Sequence, residues 1–189
     1  MTEPKVIGLH GPIGSGKTTI AKYLRGRGYT PVSFASPLKL ALSLMFDDDL
    51  DNYEDQDKKN EIIPEAGKTR RELLISLGHD WGRGYVNENL WVRVAEKKIE
   101  RLLESGRKVV VTDVRYENEA EMVRNFGLIC HIDRPSLSRR DHESERPVRF
   151  LPMDLAIINN GTLLDLEKQA SFICETPFHC YLGKKPVAA

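Results

Sequence analysis

Eight consecutive residues, Gly11-Pro12-Ile13-Gly14-Ser15-Gly16-Lys17-Thr18, match the spacing G-x-x-x-x-G-K-[ST] at every fixed position. The chemistry this spacing suits is the holding of a polyphosphate. Gly14 and Gly16 let backbone N–H groups turn inward around a phosphate with no Cβ in the way. A helix starting near Thr18 adds its positive dipole end and its unpaired N–H donors. Lys17 supplies a point charge to the β and γ phosphates, and the Thr18 hydroxyl can ligate Mg²⁺. Gly11, Ile13, Ser15 and Thr19 complete the loop residues expected to touch ATP. The plain alternative is a glycine-rich turn that merely contains Gly-Lys. The context opposes it: the apolar run Lys5–His10 precedes the motif, and helical periodicity follows, with Ile20, Ala21 and Leu24 on one side.

Asp113, Arg115 and Glu119 form a second set, just after the apolar run Lys108–Thr112, which reads as a strand buried on both faces. Ligands of parallel α/β sheets bind at the carboxyl ends of the strands, so Asp113 and Arg115 are expected to face the phosphate loop. Asp113 can hold Mg²⁺ through water, and Arg115 can fork onto a second phosphate. The plainer readings are a helix N-cap for Asp113 and solvated charges for Arg115 and Glu119. A third set is the segment 134–150, with Arg134, Arg139, Arg140, Arg146 and Arg149. Cations that close over a transferring phosphoryl group stabilise its charge and exclude water, so the segment reads as a lid. The alternative is a solvated loop, partly neutralised by Asp141, Glu143 and Glu145.

These sets need a scaffold, and the pattern supplies one. Five short β runs (Lys5–His10, Pro31–Ala35, Lys108–Thr112, Leu128–Asp133 and Asp154–Asn160) alternate with helical stretches. Those stretches begin at Thr18, Pro37, Arg70 (ending at Gly78), near Trp91, at Glu117 and at Thr162. The Trp91 helix is expected to show Trp91, Val94, Ala95, Ile99 and Leu102 on one face. The prediction is an α/β, three-layer P-loop fold: one domain with a five-stranded parallel sheet and helices on both faces. The acidic stretch 47–61 reads as a solvated surface loop.

Composition narrows the function classes. In 189 residues, 28 Lys and Arg balance 28 Asp and Glu, so no cationic excess points to nucleic acid. No apolar run approaches the roughly 20 residues of a membrane helix. The N-terminus shows no signal-peptide core. Three cysteines suit a reducing cytosol rather than a disulfide scaffold. A GTP switch would need D-x-x-G and N-K-x-D, and neither string occurs. With Asp47 at position 1 of a calcium loop, Asn52 falls where glycine is needed and Lys58 where glutamate is needed. Cys174, His179 and Cys180 lack zinc-finger spacing.

The P-loop followed by SFASPLK, RELLISLGHDWGR, ENLWV, TDVRYENEAE, DHESE and DLAIINNGTLLDL resembles the phage deoxynucleoside monophosphate kinases, over residues 5 to 170. The resemblance implies a monophosphate-binding helical region inserted at about 36–106, a lid at about 134–150, ATP and Mg²⁺ as cofactors, and a nucleotide acceptor. It puts Lys39, Arg71, Arg83, Trp91, Asp113, Arg115 and Glu119 on the acceptor side, although the helical spacing of Trp91 favours packing. Lys17, Arg115, Arg139 and Arg140 become the catalytic cations, with Arg139 or Arg140 over the donor phosphates. Asn160 and Gly161 fall beside the donor base. No zinc is expected in a lid without cysteine. The implied partners are small nucleotides, with no nucleic acid and no membrane, and the implied compartment is the cytoplasm, the host's for a phage protein. A homodimer is left open. The rivals are a kinase of another acceptor, of phosphomevalonate or dephospho-coenzyme A type, and a non-catalytic ATP-binding regulator.

Overall fold

The computed structural model describes residues 3–135 and 148–175. Five parallel strands, β1 (Val6–His10), β2 (Tyr29–Val32), β5 (Lys108–Val114), β6 (Leu128–Asp133) and β7 (Leu155–Ile158), form one sheet in the order β2-β5-β1-β6-β7. A two-stranded antiparallel hairpin, β3 (Ile62–Ile63) and β4 (Lys68–Thr69), stands apart. The central strands alternate between two buried faces. Ile7, Leu9, Val110, Leu128, Cys130 and Ile132 pack under α1 (Lys17–Gly26) and α6 (Leu163–Glu175). Val6, Val109, Val111 and Ile129 pack under α4 (Leu90–Glu104) and α5 (Glu117–Arg124). Burial on both faces is why these strands read as continuous apolar runs.

α2 (Ser36–Met45) and α3 (Arg70–Ile75) build a smaller core with the hairpin, around Leu42, Tyr53 and Ile63. Here the structure corrects the expected solvated loop. Residues 50–53 and 58–60 form 3₁₀ turns, and Tyr53 is wholly buried. Asp48 pairs with Arg70 at 2.6 Å, and hydrogen bonding from that guanidinium holds the Asp48 carboxyl down at about 2. The stretch is thus a folded element in which Asp48 and Glu61 share the Arg70 guanidinium, while most of its other carboxylates face solvent as expected.

α3 opens on a capping box. Thr69 Oγ1 accepts the Glu72 amide at 3.1 Å, and Glu72 Oε2 accepts the Thr69 amide at 2.8 Å. Thr69→Ala is expected to cost about 1 kcal/mol in urea unfolding, and Thr69→Ser to restore most of it.

Two further expectations change. The helix from Arg70 does not stop at Gly78: it widens into a π-helical run, Ser76–Val86. In α4 the buried residues are Val92, Ala95 and Ile99, while Val94 is exposed and Trp91 half-buried. Trp91 and Val94 instead border a groove of about 530 Å³ with Phe34, Pro37 and Leu40, beyond edge strand β2.

Candidate active site

Strand β1 delivers the chain to residues 11–16 at its carboxyl end. Gly11 has φ 152° and Gly16 φ 112°, backbone that side chains rarely adopt. A Cβ on Gly11 would lie 2.3 Å from the Ile132 carbonyl oxygen, and one on Gly16 would lie 2.8 Å from Asn159 Nδ2. Both glycines are therefore required by conformation and by space. Lys17 Nζ donates to the Gly11 and Pro12 carbonyls at 2.5 and 2.7 Å, which holds its ammonium over the loop. The loop's far side is tied down by Asn159 Nδ2 donating to the Ser15 carbonyl at 2.8 Å, and by Arg134 Nη1 donating to the Gly14 carbonyl at 3.1 Å.

Three observations fit this cradle to phosphate. Ser15 Oγ is buried with no hydrogen-bond partner among the described residues. No side chain caps α1, and its first turn holds no carboxylate, so its N–H donors are open to an anion. Thr18 and Thr19 sit in that first turn, with Thr18 exposed. Asn160 and Gly161 border a cavity of about 280 Å³ with Arg134, Pro135 and Asn159, the first and last of which bond the loop carbonyls.

Asp113 is held rather than free. Its Oδ2 accepts from Ser33 Oγ at 2.7 Å and the Ala35 amide at 3.2 Å, and its Oδ1 accepts the Phe34 amide at 2.9 Å. The carboxylate fixes the turn 33–35, and that turn takes the place of the last residues of the predicted strand Pro31–Ala35. One Oδ1 lone pair remains for a water.

Glu119 and Arg83, both expected to meet substrate, meet each other. Arg83 Nη2 donates to Glu119 Oε1 at 2.5 Å, with the side chains 9% and 4% exposed. Glu119 Oε2 accepts the Arg115 and Tyr116 amides at 2.7 and 3.1 Å, and the Arg83 guanidinium lies 3.9 Å above the Tyr116 ring. The pair braces the π-helical run against the start of α5, so the two side chains expected on the acceptor side are here engaged with each other. Burial pushes the Glu119 carboxyl up to about 7, and nearby Asp113 adds to this, against the pull of those amides and of Arg83. Trp91 is likewise engaged: its indole N–H donates to the Gly78 carbonyl at 2.8 Å and its ring packs on Gly82.

Arg115 is exposed, and among the described residues its side chain makes no hydrogen bond or ion pair. It follows Val114, which is registered with His10, the residue before the glycine loop. Arg71 donates to Asn60 Oδ1 and Gln56 Oε1 at 3.0 and 3.2 Å, and Lys39 pairs with Glu54 at 2.7 Å. Arg139 and Arg140 lie outside the described residues. Sequence reasoning missed Ser33, which holds Asp113, and Asn159, which ties down the loop. For Asn159 a signal existed, since it adjoins Asn160 in the closing turn; for Ser33 none did.

A glycine loop running from the central strand of a doubly covered parallel sheet into an uncapped helix is the architecture of the P-loop α/β class. A sequence profile of the family described as deoxynucleotide monophosphate kinase matches residues 51–170, and the chain belongs to that family. It is 34% identical over 185 residues to a protein of Acanthamoeba polyphaga mimivirus named as a deoxynucleotide monophosphate kinase, covering 87% of this chain and 93% of that one. A stretch of 99 residues, 45% of this chain and 38% of the other, is 29% identical to the deoxynucleoside-5'-monophosphate kinase of Escherichia phage T5. A looser likeness to the solved structure of TT1252 from Thermus thermophilus (TM-score 0.43, 18% identity, 91% of this chain and 97% of that one) adds no argument. The protein is a phosphotransferase acting on nucleotides, as the sequence resemblance implies. Among the described residues no helix is long and apolar enough to cross a membrane.

Proposed function

We propose that the enzyme transfers the γ-phosphoryl group of ATP to the 5'-phosphate of a deoxynucleoside monophosphate, giving ADP and a deoxynucleoside diphosphate. The observation that carries this reading is the placing of Arg115 at the carboxyl end of β5, one residue beyond the strand partner of His10 and so beside the phosphate loop. Donor phosphates would lie on the loop and the helix α1 N-terminus, and the acceptor phosphate on the Arg115 side. A phosphate monoester with a second pKa near 6 is largely dianionic at neutral pH, so the acceptor oxygen needs no general base. What the reaction needs is alignment and charge neutralisation.

Lys17 would move from the loop carbonyls onto the donor phosphates. Thr18, with Asp113 through water on its remaining lone pair, would hold Mg²⁺, which neutralises phosphate oxygens when bound. Asn160 and Gly161 would border the donor base, and Arg139 or Arg140 would close over the transferred group. Residues 36–106 would form the acceptor region and 134–150 the lid. The working place would be the cytoplasm, a host's where the gene is viral. A hydroxyl acceptor is less well supported, because its candidate base, Asp113, already accepts three hydrogen bonds.

The test is ADP formation from ATP and Mg²⁺ with dAMP, dGMP, dCMP and dTMP supplied singly, beside phosphomevalonate and dephospho-coenzyme A. Turnover with at least one monophosphate is expected, and turnover only with the other acceptors would reject the reading. Arg115→Ala is expected to raise the KM for the monophosphate by about 10-fold or more, with the KM for ATP nearly unchanged. A rise confined to ATP would exchange the donor and acceptor sides.

A further inference from the structure

His10 ends β1, directly before the glycine loop, and is half-buried. Beside it the sheet register slips. Gly8 lies opposite Val111 but His10 lies opposite Val114, so two steps of β1 face three of β5. A bulge of this kind bends its strand and re-aims the side chains next to it. Here the bulged stretch contains Asp113 and leads straight into Arg115. His10 Nδ1 donates to the Val114 carbonyl at 3.0 Å, so a side chain of β1 grips the backbone of β5 just where the register has slipped.

The partners of the ring fix its proton. A carbonyl can only accept, so Nδ1 carries the hydrogen; the Val148 amide can only donate, and it meets Nε2 at 3.4 Å, so Nε2 is bare. The ring is therefore neutral and in one tautomer. Burial lowers its pKa from the usual value, the His131 and Lys17 charges act in the same direction, and the Val114 carbonyl and Glu117 oppose them. The Val148 side is itself anchored. Glu117 Oε2 accepts the Arg149 amide at 2.8 Å, Arg124 Nη2 donates to the Arg149 carbonyl at 2.6 Å, and Asp154 Oδ2 accepts the Leu151 amide at 2.9 Å. Residues 113–116 are thus gripped from three directions: the 33–35 turn holds the Asp113 carboxylate, Glu119 holds the Arg115 and Tyr116 amides, and His10 holds the Val114 carbonyl. Of these, the last starts from the strand that carries the glycine loop.

We infer that His10 is a positioning residue, whose neutral ring pins the bulged end of β5 to the strand that carries the glycine loop and so sets the distance between Arg115 and the donor phosphates. This deepens the acceptor side of the proposed function and rests on it. His10 touches neither nucleotide. It acts through Val114, one residue before Arg115, and transfer between two bound phosphates is sensitive to such spacing: a displacement of about 1 Å can cost about 10²-fold in rate.

The test compares wild type with His10→Ala, His10→Asn and His10→Gln, all with matching far-ultraviolet circular dichroism. The asparagine amide nitrogen takes the place of Nδ1 and can still donate to the Val114 carbonyl, whereas the longer glutamine reaches the place of Nε2 and the Val148 amide. In His10→Ala, kcat is expected to fall and the KM for the monophosphate to rise, each by about 10-fold, with a smaller change in the KM for ATP. His10→Asn should recover most of that loss and His10→Gln little of it. Rescue by glutamine and not by asparagine would overturn the inference, as would unchanged kinetics in His10→Ala or equal losses for ATP and monophosphate. Nuclear magnetic resonance separates the inference from the function it rests on. Near neutral pH the His10 ring of the wild type should show a protonated Nδ1 and a bare Nε2, and His10→Ala should move the backbone signals of residues 113–115, which His10→Asn restores. Those results support the positioning role even if wild type phosphorylates none of the four monophosphates. A ring protonated on Nε2, or unmoved signals at 113–115, rejects it whatever the turnover.

Discussion

Replacing Lys17 with alanine is expected to lower kcat by about 10²- to 10³-fold, the loss typical when one preorganised donor to a developing charge is removed. Lys17 Nζ is held at the loop by the Gly11 and Pro12 carbonyls, so the ammonium waits beside the place the phosphates would take and has only to exchange those carbonyls for phosphate oxygens. Removing it leaves the loop amides and the α1 N-terminus, which bind phosphate but supply no full charge where the β and γ oxygens would lie. The effect should therefore fall mainly on kcat at saturating ATP and monophosphate, with a smaller rise in the KM for ATP. The check is steady-state kinetics alongside thermal unfolding. Lys17 is half-buried and supports no part of the core, so the melting temperature should stay within a few degrees. A variant with near-wild-type turnover would remove the loop from the chemistry.

The sheet was legible because its two determinants are local. Runs such as Val109–Val111 announce a strand buried on both faces, and the helix after the glycine loop shows Ile20, Ala21 and Leu24 at helical spacing. The glycine loop was legible because its backbone demands residues without a Cβ. What failed to show depends on partners distant in sequence. Gly78 looks like a helix stop by propensity, yet the chain continues through it into wider turns. There Gly82 receives the Trp91 ring and Gly78 gives its carbonyl to the Trp91 N–H. Arg83 and Glu119 stand 36 positions apart, and nothing at either position signals that each will neutralise the other.

The stretch from Asp47 to Glu61 shows the same limit more sharply. Read along the chain it is strongly acidic and polar, which suggests a solvated loop. Folding sorts its charges instead: Asp48 and Glu61 turn to Arg70, while Lys59 donates to the Glu54 carbonyl. Arg115, by contrast, was legible, because it directly follows a recognisable strand. Pairings made by an irregular turn, such as Asp48 with Arg70, became visible only with the tertiary structure.

The other large effect is expected at Arg83, and its dependence on pH identifies the mechanism. At pH 8, Arg83→Ala strands the Glu119 carboxylate in a buried place with only the Arg115 and Tyr116 amides as donors. Breaking a buried pair from one side in this way costs about 3–5 kcal/mol of unfolding free energy. The Glu119 carboxyl, ordinarily near 4.5, titrates near 7 in the folded protein, so between those values the native state binds a proton that the unfolded chain releases. Its contribution to stability is accordingly greatest below about 4.5 and declines as the pH rises through about 7. Loss of the guanidinium raises the folded-state value further and widens that window. At pH 5.5 the carboxyl keeps its proton, and the same substitution should cost only about 1–2 kcal/mol, the price of a lost hydrogen bond to a neutral group. Urea unfolding of both proteins at the two pH values measures the difference, and a cost independent of pH would mean that Arg83 acts by packing on Tyr116 alone. Adding Glu119→Gln to Arg83→Ala should recover part of the loss at pH 8 and little at pH 5.5, because only at the higher pH does it remove a stranded charge. Since Glu119 also holds the Arg115 amide, the single variant should weaken the monophosphate more than ATP, which ties the stability of this brace to the acceptor side of the site.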